Sequence, residues 1–197
     1  MEATRDVSGS ALDPRLALLL DEREIKNCVL RYCHGTDRLD WQTVAECYLP
    51  TATDDHGAYQ GTPSGLAAWL ADKAKYRGRK QHFVANQLVE IAGDDAVCES
   101  YYCCYIEFID DPEFVASGGS EAVIMGGRYV DRLARFAGTW KIASRVTAVD
   151  WTRSLGEPAY WSSPAAAQFT RGRGDDQDPA QVAFAEMRDR QRQDARL

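Results

Sequence analysis

A histidine, a carboxylate and a tyrosine frame the chemistry this chain could perform. Tyr32 and Asp37 fall five residues apart on, or at the end of, a long predicted helix, and His82 opens a predicted strand. A neutral imidazole near neutral pH can remove a proton, and a neighbouring carboxylate fixes its tautomer and stabilises its cationic form. A tyrosine hydroxyl in the same apolar cavity can polarise a carbonyl or hand a proton to a departing oxygen. The trio suits proton abstraction followed by loss of a leaving group. Helix geometry constrains it, because five residues turn the chain by about 500° and leave Tyr32 and Asp37 about 140° apart. They reach one pocket only if the helix bends or if they enter from its two sides. On the strand, period-two geometry places His82, Val84, Asn86 and Leu88 on one face and Phe83, Ala85, Gln87 and Val89 on the other. His82 and Asn86 are therefore expected to point together into a cavity on the concave side of a sheet.

The elements that must position these residues read as helices followed by long strands. Asp13-Pro14 is an N-cap with a first-turn proline. Ile25, Cys28, Val29, Tyr32 and Cys33 then recur at i, i+3, i+4, i+7 and i+8 as one apolar stripe. This helix should end near Leu39. Asp40 caps a short second helix over Trp41 to Tyr48, closed by Pro50. Thr51 to Gln60 suggests a short strand with a turn. Thr62-Pro63 starts a third helix with Leu66, Trp69, Leu70 and Ala74 as its apolar face and Gly78 as its stop. Two long hairpins follow, Gln81–Ala92 with Ala96–Ile109 and Ser120–Leu133 with Thr139–Trp151, separated by a loop from Asp110 to Gly119. The class is α+β, with helices on one face of a curved antiparallel sheet. The domain spans residues 13–152. Residues 1–12 are expected to be frayed and disordered. Residues 153–197 form a C-terminal arm with a helix running from the Asp178-Pro179-Ala180-Gln181 cap to about Arg192. The arm is either a solvated appendage or a segment that packs on a neighbouring subunit.

The chain has 197 residues and a mass of 22.0 kDa, enough for one well-cored domain and an appendage. Apolar residues make up 45% and charged residues 27%, an ordinary globular mixture that argues against wholesale disorder. A net charge of −7 and a pI near 5.0 disfavour a nucleic-acid partner. No apolar run approaches the roughly 20 residues that span a bilayer. Leu16 to Leu20 is flanked by Asp13, Asp21 and Glu22 rather than by the basic residues of a secretory leader. Cys28, Cys33, Cys47, Cys98, Cys103 and Cys104 contain no C-x-x-C pair, and read as buried, reduced thiols of a cytoplasmic protein. His34, His56 and His82 show no ligand spacing with them, so no metal is expected.

Other candidates carry less. His34 is expected on the helix flank and His56 in a polar turn, with a pocket-mouth role as its alternative. Lys73, Lys75, Arg77, Arg79 and Lys80 read as a solvated helix end whose cations suit the helix dipole, the alternative being an anchor for an acidic substrate handle. Arg145 alternates with apolar residues on the last strand and is an internal salt-bridge candidate. Tyr101, Tyr102, Tyr105, Tyr129 and Trp151 supply aromatic surface, which suits a flat polycyclic ligand where it lines a cavity.

Three stretches in order, D-E-R-E-I-K-N-C-V-L-R-Y-C-H-G-T-D-R-L-D-W, K-Q-H-F-V-A-N-Q-L-V-E-I and G-G-R-Y-V-D-R-L-A-R-F-A-G-T-W-K-I-A-S-R, resemble the SnoaL-like branch of the nuclear transport factor 2-like superfamily over roughly residues 20–152. That branch includes scytalone dehydratase, bile acid 7α-dehydratase and hexachlorocyclohexane dehydrochlorinase. The resemblance implies a cone of curved sheet, an α+β barrel, closed by helices. It also implies a cofactor-free lyase, commonly a homotrimer, built around an Asp–His dyad. By position, Asp37 matches the dyad aspartate, His82 the dyad histidine and Tyr32 a pocket tyrosine, while Arg128 falls near a pocket arginine. Where some relatives carry a further His or Asp on the second strand, this chain has Cys104 and Tyr105, so the leaving-group acid must be another residue, such as Tyr32. The resulting expectation is a dehydratase acting on a hydrophobic cyclic substrate such as a hydroxysteroid or polyketide-like ring ketone. Asn86, Arg128, Tyr105, Cys104 and Trp151 are expected to contact the substrate. A ring-ketone isomerase, a dehydrohalogenase and a non-catalytic ligand-binding module or dioxygenase small subunit are the alternatives.

Overall fold

Helix α1 (Pro14–Asp37) begins at the predicted cap, where the Asp13 side chain accepts the Arg15 backbone N–H at 2.8 Å. Every member of the predicted stripe, Ile25, Cys28, Val29, Tyr32 and Cys33, is buried. The Asp40 carboxylate accepts the Thr43 backbone N–H at 3.0 Å and caps α2 (Trp41–Glu46), which stops two residues earlier than expected because Tyr48 already belongs to strand β1 (Tyr48–Asp55). Pro50 lies inside β1, where the pairing register breaks, as a residue without an N–H requires. The short β2 (Gln60–Gly61) leads to α3 (Pro63–Ala74), capped by Thr62. The computed structural model describes residues 13–109, 122–155 and 175–177, with the separate positions Val182, Ala185, Asp189 and Arg192, all four helical. The expectations for residues 1–12, for the Asp110 to Gly119 loop and for the Asp178 cap fall outside these residues.

Four long strands make the predicted pair of hairpins: β3 (Arg77–Ala92), β4 (Asp95–Phe108), β5 (Ala122–Phe136) and β6 (Thr139–Leu155). The sheet order is β2-β1-β6-β5-β4-β3. The four long strands run antiparallel, as expected, while β1 adds alongside β6 in parallel. The sheet is therefore mixed, curved and open, rather than a closed barrel. It packs against the helices through α1, whose stripe meets Cys98, Cys104, Tyr129, Leu133, Trp140 and Ile142. Polar contacts tie the two layers together. Asp21 accepts the Trp140 indole N–H at 3.0 Å and pairs with Arg135 at 2.7 Å, and Glu24 accepts the Trp140 backbone N–H at 3.1 Å.

Among the register shifts of the sheet, two bear on the site. One lies in β3 between Ala85 and Leu88, the other between Gly126 and Gly127 opposite Trp151 and Val149. A β-carbon on Gly127 would collide with the backbone carbonyl oxygen of Ala148. Gly127→Ala should therefore cost about 1–3 kcal/mol of unfolding free energy, the usual range for overpacking, in a urea titration.

Candidate active site

A cavity of about 700 Å³ opens between the end of α1, α3 and the inner face of the sheet. Its wall carries Tyr32, Asp37 and His82 together, so the two helix residues do converge. They enter differently: Tyr32 comes from the buried stripe, and Asp37 comes from the last position of α1.

The Asp37 carboxylate grips His82 with both oxygens. Oδ1 lies 2.6 Å from Nδ1, and Oδ2 accepts the His82 backbone N–H at 2.8 Å. The Thr36 hydroxyl, 3.4 Å from Nδ1, donates its own proton to the Cys33 carbonyl at 2.9 Å. Both neighbours of Nδ1 therefore accept, which places the ring proton there and leaves the Nε2 lone pair for the cavity. The pair is nearly dry, with side-chain exposures of 9% for His82 and 12% for Asp37. Burial pushes the imidazole below its usual 6.5, against the upward pull of Asp37. His82 is thus neutral at physiological pH, the form that accepts a proton.

Tyr32 sits deeper. Its ring lies edge-on to Tyr48 and Tyr129, each 5.9 Å away, and the Arg145 guanidinium covers it at 4.1 Å. Burial drives its hydroxyl far above the ordinary phenol range despite the pull of Arg145, so it can donate a hydrogen bond but not act as a base. Arg145 is the predicted internal ion-pair partner: it meets Asp131 through two hydrogen bonds of 2.6 and 2.7 Å, with both side chains fully buried.

A profile of the SnoaL-like domain matches residues 17–146. The chain belongs to the SnoaL-like domain family. No curated protein matches it at a significant level. Solved structures similar to this SnoaL-like chain include the Kfla4162 protein of Kribbella flavida, at 18% identity over 69% of this chain and 95% of that one, with a TM-score of 0.60. A Novosphingobium aromaticivorans protein provisionally described as a scytalone dehydratase matches at 15% identity over 74% and 94% of the two chains, with a TM-score of 0.63. The hexachlorocyclohexane dehydrochlorinase LinA-type3 of Novosphingobium barchaimii matches at 16% identity over 73% and 94%, with a TM-score of 0.57.

Not every expected residue of this SnoaL-like site reaches the cavity. Cys104 does, buried on the wall, with burial pushing its thiol well up. Tyr105 borders it, with its hydroxyl held by Glu107 at 2.9 Å. Asn86 does not. The β3 bulge puts it at φ 46° and exposes it, so Gln87 takes the inward place and donates to Ser100 at 3.2 Å. Leu88, expected on the same inner face, is 69% exposed. Arg128 lies on the outer face, paired with Asp150 and Glu99, because Tyr129 and Asp131 take the inward positions of β5. Trp151 is also outside, 44% exposed, with its indole over Gly126.

Six residues that line the cavity were not among the expected site residues. Lys73, in the last turn of α3 as expected, lines the cavity together with Arg77, Arg79 and Lys80, which belong to β3 rather than to a helix end because α3 stops at Ala74; Gly78 is a strand residue. Lys80 is the most enclosed of them, and burial pulls its ammonium below the usual 10.5 while Asp37 opposes the shift. Tyr102 stacks on Tyr129 at 4.5 Å, and its buried hydroxyl has no partner among the described residues. His56 lines the cavity from the turn after β1. Among the described residues no cluster of three His, Cys, Asp or Glu could hold a metal ion, and no helix is long and apolar enough to cross a membrane.

Proposed function

We propose that this protein is a cofactor-independent lyase that eliminates water from a hydrophobic cyclic hydroxy ketone, of the polyketide or hydroxysteroid kind. The observation that carries the reading is the 2.6 Å contact between His82 Nδ1 and Asp37 Oδ1 in the cavity wall. Nε2 takes the proton next to the ring carbonyl, and Asp37 stabilises the imidazolium that forms. Tyr32 offers a neutral hydroxyl to the carbonyl oxygen as it gains charge. Tyr102, Tyr129, Met125 and Ile106 give the flat apolar surface a ring system needs. The dehydratase and dehydrochlorinase descriptions of the similar structures agree with this chemistry.

The test is the product formed from 3-hydroxy-1-tetralone, a bicyclic β-hydroxy ketone. Loss of one water to give 1-naphthol is expected by mass spectrometry. A rearranged product of unchanged mass would assign an isomerase, and binding without turnover would assign a ligand-binding module. Because His82 works as the neutral ring and burial depresses its protonation, kcat/KM should hold as pH falls to 6.5 and decline only below it. Asp37→Asn removes an upward pull on the imidazole and should move that decline to still lower pH in the same pH-rate profile.

A further inference from the structure

The cavity holds a second imidazole whose surroundings repeat those of the first. His56 follows β1, and its backbone N–H donates to the Tyr59 carbonyl at 2.7 Å, which fixes the turn. Its Nδ1 lies 3.2 Å from Asp54 Oδ1 and 3.2 Å from Thr147 Oγ1. Asp54 is fully buried, and its other oxygen accepts the Tyr48 hydroxyl at 2.5 Å, so the carboxylate is anchored independently of His56. Both polar neighbours of the ring approach Nδ1. This leaves Nε2, on the far edge, for the cavity that His56 and Thr147 line along with His82. The ring is held on a further side by Trp69, 6.5 Å away between centroids.

From this second His–carboxylate pair in one cavity, we propose that His56 is the general acid that protonates the leaving oxygen. The inference rests on the lyase reading. His82 Nε2 takes the proton from carbon, the electrons of that bond form the carbon–carbon double bond, and the carbon–oxygen bond breaks. The oxygen leaves as water with the proton from His56 Nε2–H. His82 ends protonated and His56 neutral, and one proton passing from the first to the second through water resets the site. Asp54 supplies the counter-charge that the His56 imidazolium needs beforehand. A positive His56 disfavours a positive charge on His82, which helps keep the base neutral.

His56→Asn tests this, because its amide can still donate to Asp54 from the Nδ1 position while Nε2 is gone. Two probes separate the step: 3-hydroxy-1-tetralone, whose hydroxide must be protonated to leave, and its 3-acetoxy ester, whose acetate leaves as the anion. The expected result is a loss of about a hundredfold or more in kcat/KM on the alcohol, with the ester little changed. Equal losses on both probes, or no loss on either, overturn the assignment. His82→Ala should lose activity on both. If it retains both, or if the parent protein converts neither probe, the lyase reading itself fails and takes this inference with it.

Discussion

Replacing His82 with alanine is expected to lower kcat/KM for ring-ketone elimination by about 10²–10⁴-fold, the span of general acid–base catalysis. The imidazole sits in the cavity wall and is held by Asp37 through Nδ1, which leaves Nε2 for the substrate. Cys104 and Tyr32, which share that wall, are driven by burial to keep their protons, so neither replaces the base. Asp37→Asn should cost a comparable amount for a different reason. An asparagine amide can donate to Nδ1, which moves the ring proton to Nε2 and points the wrong tautomer at the substrate. It can still accept the His82 backbone N–H in place of Oδ2. Steady-state kinetics with thermal melting of both variants would distinguish lost chemistry from lost structure.

Asp131→Ala is expected to destabilise the fold by about 3–5 kcal/mol, the effect of stranding one charge of a buried pair. Arg145 lies between the rings of Tyr32 and Tyr129, 4.1 and 4.2 Å from their centroids, and is buried away from bulk solvent. Its Nη1 has no hydrogen-bond partner among the described residues, so the guanidinium has little reserve of hydrogen bonds. Burial opposes its charge, but Asp131 outweighs that and keeps Arg145 protonated. The double replacement Asp131→Leu with Arg145→Met should recover much of the loss, since removing both charges removes the desolvation cost of both. Urea unfolding of the single and double variants measures the difference. Because Arg145 also covers Tyr32, the single variant should disturb the cavity floor as well.

Much of the scaffold was legible in local chemistry. The α1 stripe and the Asp13, Asp40 and Thr62 caps each follow from a few adjacent residues, and each is present. The dyad followed from the resemblance together with the helix–strand arrangement. What could not be read depends on partners far along the chain. Asn86 was placed inward by strict alternation, and one extra residue in β3 reversed the faces beyond it. The parallel seat of β1 on β6 has no local signal either, and it is that pairing which brings Thr147 to His56. The Asp54–His56 spacing, two apart at a strand end, was the one available hint that this histidine had a carboxylate of its own.

The place of β1 between β2 and β6 also bears on how the chain is made. On the ribosome β1 emerges early, yet β2 offers it only two paired residues, Gly61 and Gln60. Its main neighbour, β6, is the last of the described strands to be translated, and non-local pairing of this sort is slow to form. Until β6 arrives, Tyr48, Ala52 and Asp54 have no finished interior to enter, and the nascent chain presents them to chaperones and to other polypeptides. A message cut short before residue 139 thus yields a sticky fragment with one wall of its pocket unseated, not a smaller version of the same fold.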